Sequence, residues 1–364
     1  MNETKSARPH PIWVIVTPPV AALFMVVEHL HLIAMEQPVV LAVGTVLLIA
    51  TVFSAVHHAE IIALKIGEPL GSLILAVSVT VIEVSLIIAI MSASSAGGSS
   101  VARDTVFAAV MIVLTGIVGV CLLAGGIKHH EQGFQVRGAT GTLSVLATLA
   151  TLALVLPNFT VAVSGPYYSN EQLLGVGAMS LALYFLFLFV QSVRHREYFL
   201  DDGFVEGHST MPGFGAVVAS LLLLLLALVA VVMIAEGLSP VVEGVVFNAG
   251  LPESFVGVVI AAVILLPEGI ASFRAARANR LQRSLNLALG SAVASIGLTI
   301  PAVAVASIAL GVPLGLGLEP EHLVLLVLAL FTCTLSLGTG RTTVLQGGVH
   351  LVIFAAFLII SMVP

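Results

Sequence analysis

Charge is scarce in this chain. Asp, Glu, Lys and Arg make up only 9% of its 364 residues, and hydrophobic residues make up 59%. Soluble domains have about a quarter and about half, respectively. No polar stretch is long enough to form a separate soluble domain, which excludes a soluble multidomain enzyme. The composition predicts an all-α integral membrane protein.

Cysteine is rare as well. The two cysteines, Cys121 and Cys333, both lie inside apolar segments. Their placement indicates no disulfide framework, and their spacing does not suggest a metal site. We therefore expect no cofactor, and nothing in the chain indicates nucleic-acid binding.

Long hydrophobic runs, in contrast, are abundant. Eleven apolar segments have the length of a membrane-spanning helix. They cover residues 11–27, 38–58, 70–91, 104–124, 140–156, 172–192, 213–236, 253–275, 285–310, 320–337 and 344–363. The first segment contains Pro18-Pro19 and follows a charged start, as a secretory signal does, but no small-residue cleavage site with a polar region follows it. We expect it to be retained as a leading helix.

The basic residues predict an orientation. When loops are placed alternately on two sides, twelve of the 13 basic residues fall on the side of the N-terminus. They are Lys5, Arg8, Lys65, Lys128, Arg137, Arg194, Arg196, Arg274, Arg277, Arg280, Arg283 and Arg341. Only Arg103 falls on the other side. Because cytoplasmic loops are rich in Lys and Arg, the N-terminus is predicted to be cytoplasmic and the C-terminus external.

Two stretches of the chain indicate a duplication. Residues 68–83 and 253–268 align without a gap at an offset of 185 positions, and each begins and ends with a glutamate. Five steps separate the third span from the eighth, so the two units run in opposite directions. Inverted repeats are typical of secondary transporters. The predicted organisation is an N-terminus and leading helix (1–36), a first five-helix half (37–192), a cytoplasmic linker (193–212) and a second half (213–364).

The second glutamate of each unit, Glu83 or Glu268, is predicted to lie near the bilayer centre. Fifteen residues of helix separate it from the first glutamate, which corresponds to ~22 Å. Carboxylates at this depth are costly and usually handle ions or protons. One such residue could instead be a neutral acid that only hydrogen-bonds a neighbouring helix, but two at matched positions favour an ion site.

Oxygen ligands surround both glutamates in the sequence. Thr80 precedes Glu83 by one helical turn, and Ser272 follows Glu268 by one turn. Pro267 frees a backbone carbonyl near residue 263, although its kink could equally serve packing. The next helix carries a hydroxyl stripe of Ser291, Ser295 and Thr299. Carboxylate, hydroxyl and carbonyl oxygens suit Ca²⁺, which takes about six to eight, and are acceptable to Na⁺.

Other polar residues are weaker candidates. Glu68 and Glu253 would lie at opposite membrane faces and could draw cations toward the site, although ordinary helix-start carboxylates explain them equally well. Asn286 could support the site indirectly. A triad of His57, His58 and Glu60 would suit an intramembrane metalloenzyme. Its place at the predicted cytoplasmic interface favours an interfacial role, and the second repeat has no counterpart.

Several motifs together resemble a known family. They are Gly67-Glu-Pro-Leu-Gly-Ser-Leu-Ile-Leu, Ile82-Glu-Val-Ser-Leu-Ile, Arg103-Asp-Thr, Leu266-Pro-Glu-Gly, Arg283-Ser-Leu-Asn-Leu-Ala-Leu-Gly-Ser and Thr339-Gly-Arg-Thr-Thr-Val-Leu. The chain resembles the bacterial ChaA proteins, calcium/proton antiporters also credited with sodium/proton and potassium/proton exchange. This family belongs to the cation/calcium exchanger superfamily. The resemblance implies one leading helix followed by two inverted five-helix halves.

The resemblance also implies site residues. Wider calcium/proton exchangers carry a Gly-Asn-x-x-Glu motif in each repeat, and its glutamate binds the ion. The matching positions here begin at Val79 and Ile264 and end at Glu83 and Glu268. Thr80 replaces the first asparagine and retains an oxygen, whereas Leu265 replaces the second and has none. A Gly-Ser pair of the following helix matches Gly290-Ser291, which implies that Ser291 is a further ligand.

The resulting hypothesis is a bacterial inner-membrane antiporter that exports Ca²⁺ in exchange for protons by alternating access. Glu83 and Glu268 would bind either the cation or protons. The alternative is a Na⁺/H⁺ or K⁺/H⁺ antiporter with little Ca²⁺ activity, and a passive channel is a third option. The expected partners are the lipid bilayer and the transported ions.

Overall fold

The computed structural model describes residues 11–35, 37–67, 70–93, 100–200, 212–252 and 254–363. Thirteen α-helices dominate these residues. They are α1 (Ile12–His29), α2 (Pro38–Ile66), α3 (Leu70–Ala93), α4 (Val101–Met111), α5 (Val118–His129), α6 (Val136–Ala150), α7 (Asn170–Phe189), α8 (Phe214–Asn248), α9 (Ser254–Ile264), α10 (Leu266–Arg277), α11 (Leu281–Leu310), α12 (Pro320–Leu337) and α13 (Val344–Met362). The all-α prediction is confirmed.

Short irregular helices extend several of these elements. π-Helical segments continue α4, α6 and α7 over Ile112–Ile117, Thr151–Val155 and Val190–Arg194. Segments of 3₁₀-helix follow at Leu156–Phe159 and Arg196–Phe199. Two short antiparallel strands, β1 (Gln132–Gly133) and β2 (Arg341–Thr342), pair the loop after α5 with the loop before α13.

The predicted membrane spans are confirmed in number and position. Ten described helical segments are long and apolar enough to cross a membrane, and α9 with α10, bent by 54°, makes an eleventh when the pair is counted as one span. Two helices run further than predicted, since α2 ends at Ile66 and α8 at Asn248. Their polar residues, such as Glu60 and Glu236, ended the predicted spans, but a helix can continue into the interface where charge meets water.

The chain divides into two compact units. The first comprises residues 1–82 and 204–241 and contains α1, α2, most of α3 and most of α8. Within it, Ser54 of α2 donates a hydrogen bond of 2.6 Å to the Val14 carbonyl of α1. His58 lies 3.3 Å from that carbonyl and 3.3 Å from Ser220 of α8. Buried polar contacts therefore hold α1 and α8 against α2.

The second unit comprises residues 83–203 and 242–364. Every residue of α4 is buried in it, and α11 is also largely buried. Helix α4 packs on α9, α5 on α13, and α11 on α6, α7 and α10. The two spans that follow the duplicated stretches thus form its interior. The predicted domain boundaries at 192 and 213 separate the two five-helix halves in chain order. The compact units group helices by their packing, so they do not test those boundaries.

Spans four and eight run in the same direction. Gly257 of α9 abuts the backbone of Asp104 and Thr105, and Gly269 of α10 abuts Ile117. Twelve residues along the eighth span, from Gly257 to Gly269, therefore correspond to twelve or thirteen residues in the same chain direction along the fourth. A parallel course of spans four and eight is what two inverted five-helix repeats require.

Loops in the second unit gather on two opposite faces. On one face, Lys128 donates to the Arg277 carbonyl, Arg341 pairs with Glu131 at 3.1 Å, and Arg137 contacts Tyr198. The segments around Asn158 and Leu318 meet on the other face, where Arg103 lies. The structure therefore groups basic residues as the sequence predicts. Which face is cytoplasmic stays a prediction.

Helix α13 packs so closely on α5 that one glycine of α13 has no room for a side chain. A Cβ atom at Gly347 would lie 2.7 Å from Leu123 Cα, whereas one at the adjacent Gly348 would meet no atom within 4 Å. Such overpacking costs about 1–3 kcal/mol. We expect Gly347→Ala to lower the melting temperature of the detergent-purified protein by several degrees and Gly348→Ala to leave it unchanged. Equal melting temperatures would contradict this packing.

Candidate ion-binding site

Glu83 is buried near the middle of α3, with 3% of its surface exposed. The Ser295 hydroxyl of α11 donates a hydrogen bond of 2.6 Å to Glu83 Oε1. These residues are separated by 212 positions, so the contact joins a carboxylate of the first repeat to a hydroxyl of the second. Hydrogen bonds to a carboxylate are stronger than neutral ones when the carboxylate is ionised.

The hydroxyl stripe of α11 meets Glu83 at two of its three positions. Thr299, one turn beyond Ser295, is fully buried and faces the same carboxylate. Its Oγ1 atom makes no hydrogen bond within the described residues. Ser291 lies one turn before Ser295 and is half-buried. Within the described chain, Ser291 makes no hydrogen bond to Glu83, unlike Ser295.

Glu268 occupies a different backbone environment. The eighth span breaks between Ile264 and Leu266, and Glu268 lies in the first turn of α10 directly after Pro267. Its side chain is half-buried, and its Oε2 atom is buried. The unpaired N–H groups and dipole of a helix N-terminus favour negative charge. The break therefore supplies electrostatic support that Glu83, in the middle of a helix, lacks.

Helix α11 contacts one of the two glutamates and packs on the helix that carries the other. It contacts Glu83 through Ser295 and packs along α10, which carries Glu268. Ser272, one turn after Glu268, is fully buried, and its hydroxyl makes no hydrogen bond within the described part of the chain. The two carboxylates and these hydroxyl groups are thus carried by α3, α10 and α11.

The remaining motif positions fall into two groups. Thr80 is buried and Val79 half-buried on α3, both N-terminal to Glu83. Ile264 is buried at the end of α9, and the adjacent Leu265 is 4% exposed. An apolar side chain thus stands where the resemblance implies an asparagine. Thr80 still provides a hydroxyl on α3, whereas Leu265 provides none beside the bend.

Three predicted residues are not part of the described group around Glu83. Two of them, Glu68 and Glu253, lie outside the described residues. The Asn286 amide donates to the Phe199 carbonyl and accepts from Gln282 at 2.9 Å. These bonds attach α11 to the 3₁₀ turn at residues 196–199, so Asn286 has a structural contact far from Glu83.

The histidine pair does not form a metal centre in the described residues. His58 contacts Val14 and Ser220 through its two ring nitrogens, and the His57 ring is edge-on to it at 5.8 Å. Within the described ranges, no group of three or more His, Cys, Asp or Glu side chains could hold a metal ion. Cys121 and Cys333 are buried free thiols.

Known proteins resemble this chain over nearly its whole length. The sodium/calcium exchanger protein family matches residues 37–193 and 219–363. The chain is 50% identical over 358 residues to y4hA of Sinorhizobium fredii, provisionally named an ionic transporter, covering 97% of each chain. It is 36% identical over 344 residues to the sodium-potassium/proton antiporter ChaA of Escherichia coli, covering 92% of this chain and 93% of that one. The crystal structure of the Ca²⁺/H⁺ antiporter YfkE matches with a TM-score of 0.75 at 18% identity, covering 97% of this chain and 100% of that one.

These findings establish the class. The chain belongs to the sodium/calcium exchanger protein family, and it is a multi-pass membrane antiporter for cations. The relatives are transporters and not enzymes, so the metalloenzyme alternative is wrong. The resemblance to ChaA proteins is confirmed.

Proposed function

We propose that this protein exports a cation from the cytoplasm in exchange for protons, using Glu83 and Glu268 as the shared binding groups. The observation that carries this proposal is the buried contact of Glu83 with Ser295, which joins the two inverted repeats. A change in the relative position of the repeats would remake this contact and alter access to the site. Such a change is the basis of alternating access in inverted-repeat transporters.

Competition between the cation and protons supplies the coupling. A bound cation stabilises the ionised carboxylates, whereas burial favours their protonated form. The two glutamates can therefore hold a cation or protons, but not both at full affinity. Deprotonated carboxylates would load the cation from the cytoplasm, and external protons would displace it. Net inward positive charge would gain ~2.3 kcal/mol per charge per 100 mV from the membrane potential.

Ca²⁺ is the first candidate cation. Two carboxylates match its charge, and Ser295, Thr299 and Ser272 add hard oxygen ligands. Na⁺ or K⁺ is the second candidate, for two reasons. Leu265 contributes no side-chain oxygen beside Glu268, and the 36% identical relative is named a sodium-potassium/proton antiporter. Fewer oxygen ligands would weaken binding of a strongly hydrated divalent ion most.

The proposed setting is the bacterial inner membrane, with a cytoplasmic N-terminus and an external C-terminus. The basic residues grouped on one face of the second unit support this orientation. The transported ions and the bilayer are the only partners that the mechanism needs, and it requires no cofactor.

A liposome assay tests the proposal. Purified protein is reconstituted with a trapped pH-sensitive dye, and Ca²⁺, Na⁺ or K⁺ is added against an imposed pH gradient. We expect Ca²⁺ at low concentration to dissipate the gradient. A response to Na⁺ or K⁺ alone would favour the second candidate. Cation flux that continues unchanged without a proton gradient would indicate a channel, and no response to any cation would contradict the proposal.

A further inference from the structure

A second group of charged side chains lies at the N-terminal end of α4. Arg103 Nε donates to Asp104 Oδ1 at 2.7 Å, and its Nη1 donates to the Gly317 carbonyl at 3.3 Å. Its Nη2 lies 3.5 Å from Glu319 Oε1. The Arg103 and Asp104 side chains are 9% and 5% exposed. A buried guanidinium therefore joins the start of α4 to the segment that enters α12.

Two buried groups beside this guanidinium have unused hydrogen-bonding capacity. Asp104 Oδ2 makes no hydrogen bond within the described residues, and neither does either ring nitrogen of His322. His322 is 4% exposed, and its ring packs on Phe107 at 4.8 Å. Its Nδ1 lies 4.0 Å from Glu319 Oε2. Buried polar groups normally have partners, so these atoms require an explanation.

Burial of the His322 ring disfavours its charged form, whereas the carboxylates around the ring favour that form. The charged groups that face His322 are Glu319 and Glu321 on its own side and Arg103 and Asp104 on α4. Three carboxylates against one guanidinium leave the surroundings negative. A proton on the imidazole would convert the 4.0 Å approach to Glu319 into an ion pair. A metal ion is a poorer occupant, because the described residues supply no group of three suitable ligands.

Water can reach this cluster. A surface cavity of about 700 Å³ is lined by Arg103 and Glu319 together with residues of the 158–166 and 317–320 segments. Glu319 is 48% exposed, so it links the buried His322 to the cavity. The cavity lies on the face that the basic residues predict to be external. Span four leads from here to Ile117, which abuts Gly269 next to Glu268.

We propose that Asp104, Glu319 and His322 form a proton-acceptor site at the external end of α4, which captures protons for exchange before they reach the midplane. The inference rests on the proposed proton coupling. In the capture step a proton passes from hydronium in the cavity to an imidazole nitrogen. This step forms one N–H bond and leaves water, and no electrons are transferred. Arg103 keeps the Asp104 and Glu319 carboxylates in place.

The test changes the pH on each side of the membrane independently. Right-side-out and everted vesicles with equal amounts of protein are used to measure cation/proton exchange while the pH is varied on one side only. We expect His322→Gln and Asp104→Asn to need an external pH about one unit more acidic for half-maximal exchange, because each removes a proton acceptor or its attracting charge. The dependence on cytoplasmic pH should not change. His130→Asn, an exposed histidine on the opposite face, is the matched control.

Each outcome is decisive. An external pH profile like that of the wild type in both variants would overturn the acceptor site, while proton coupling would stand. An equal shift on both sides would indicate a general structural effect and would also overturn it. Should His322→Gln fail to fold, the nearly isosteric Asp104→Asn decides alone. Wild-type vesicles that move no protons would remove the proposed function and this inference together.

Discussion

Replacing Glu83 or Glu268 with glutamine is expected to abolish coupled exchange. Glutamine keeps the shape of the side chain but can neither carry the charge that binds a cation nor exchange a proton. Leaving a buried charge without its partner costs about 3 kcal/mol or more, and each 1.4 kcal/mol is about tenfold. Initial exchange rates in liposomes should therefore fall at least about a hundredfold in each variant.

The control for this prediction is Glu171→Gln, which changes an exposed carboxylate at the start of α7. It should insert and transport like the wild type. Size-exclusion profiles of all three variants show whether the protein is folded. Near-normal transport by either of these two variants would mean that the affected glutamate is not a binding group. Loss in only one of them would indicate one binding carboxylate and one supporting residue.

The fold could be predicted because membrane helices are recognisable from length and hydropathy alone. The arginines fixed the number of spans, since one span more or fewer would scatter them over both faces. Helix ends were less predictable, as α2 and α8 show, because a helix continues through interfacial polar residues where the hydrophobic signal stops. The division into two compact units was also not predictable. It passes through α3 and α8, and packing decides such a division rather than any break in the sequence.

The site could be predicted only in part, because packing also decides which residues of different helices meet. The duplication identified the glutamates, and helical spacing identified the hydroxyl stripe. Which hydroxyl of α11 meets Glu83 depends on how far α11 is shifted along its axis relative to Glu83. That shift is set by the packing of residues far apart in the sequence, so the spacing within one helix does not reveal it. The charged group at Asp104 and His322 was missed because its members are about 216 positions apart, as in the Arg103–Glu319 pair. Its one sequence signal was Arg103, the single basic residue predicted on the external side.

Replacing Ser295 with alanine is expected to lower the apparent cation affinity about tenfold. The change removes a hydrogen bond of 2.6 Å to a buried carboxylate, and bonds to charged groups contribute about 1.5–3 kcal/mol. Thr299→Val should have a smaller effect, because its hydroxyl faces Glu83 without a hydrogen bond. Ser307→Ala is the control on the same helix, since that hydroxyl donates to the Val312 carbonyl away from Glu83.

Comparing the cation affinities of Ser291→Ala and Ser295→Ala shows which of the two serines is the ligand. The family motif implies Ser291 as the ligand, whereas the described contacts favour Ser295. A larger loss of affinity in Ser291→Ala would mean that α11 shifts by about one turn, or ~5 Å, when the cation binds. A larger loss in Ser295→Ala would mean that the Glu83 contact is kept in the loaded site. The residue equivalent to Ser295 in the first repeat is Val110, 185 positions earlier, and its side chain has no hydroxyl. The two carboxylates should therefore differ in how strongly they hold the cation, and Ser295 is the residue through which that difference can be measured.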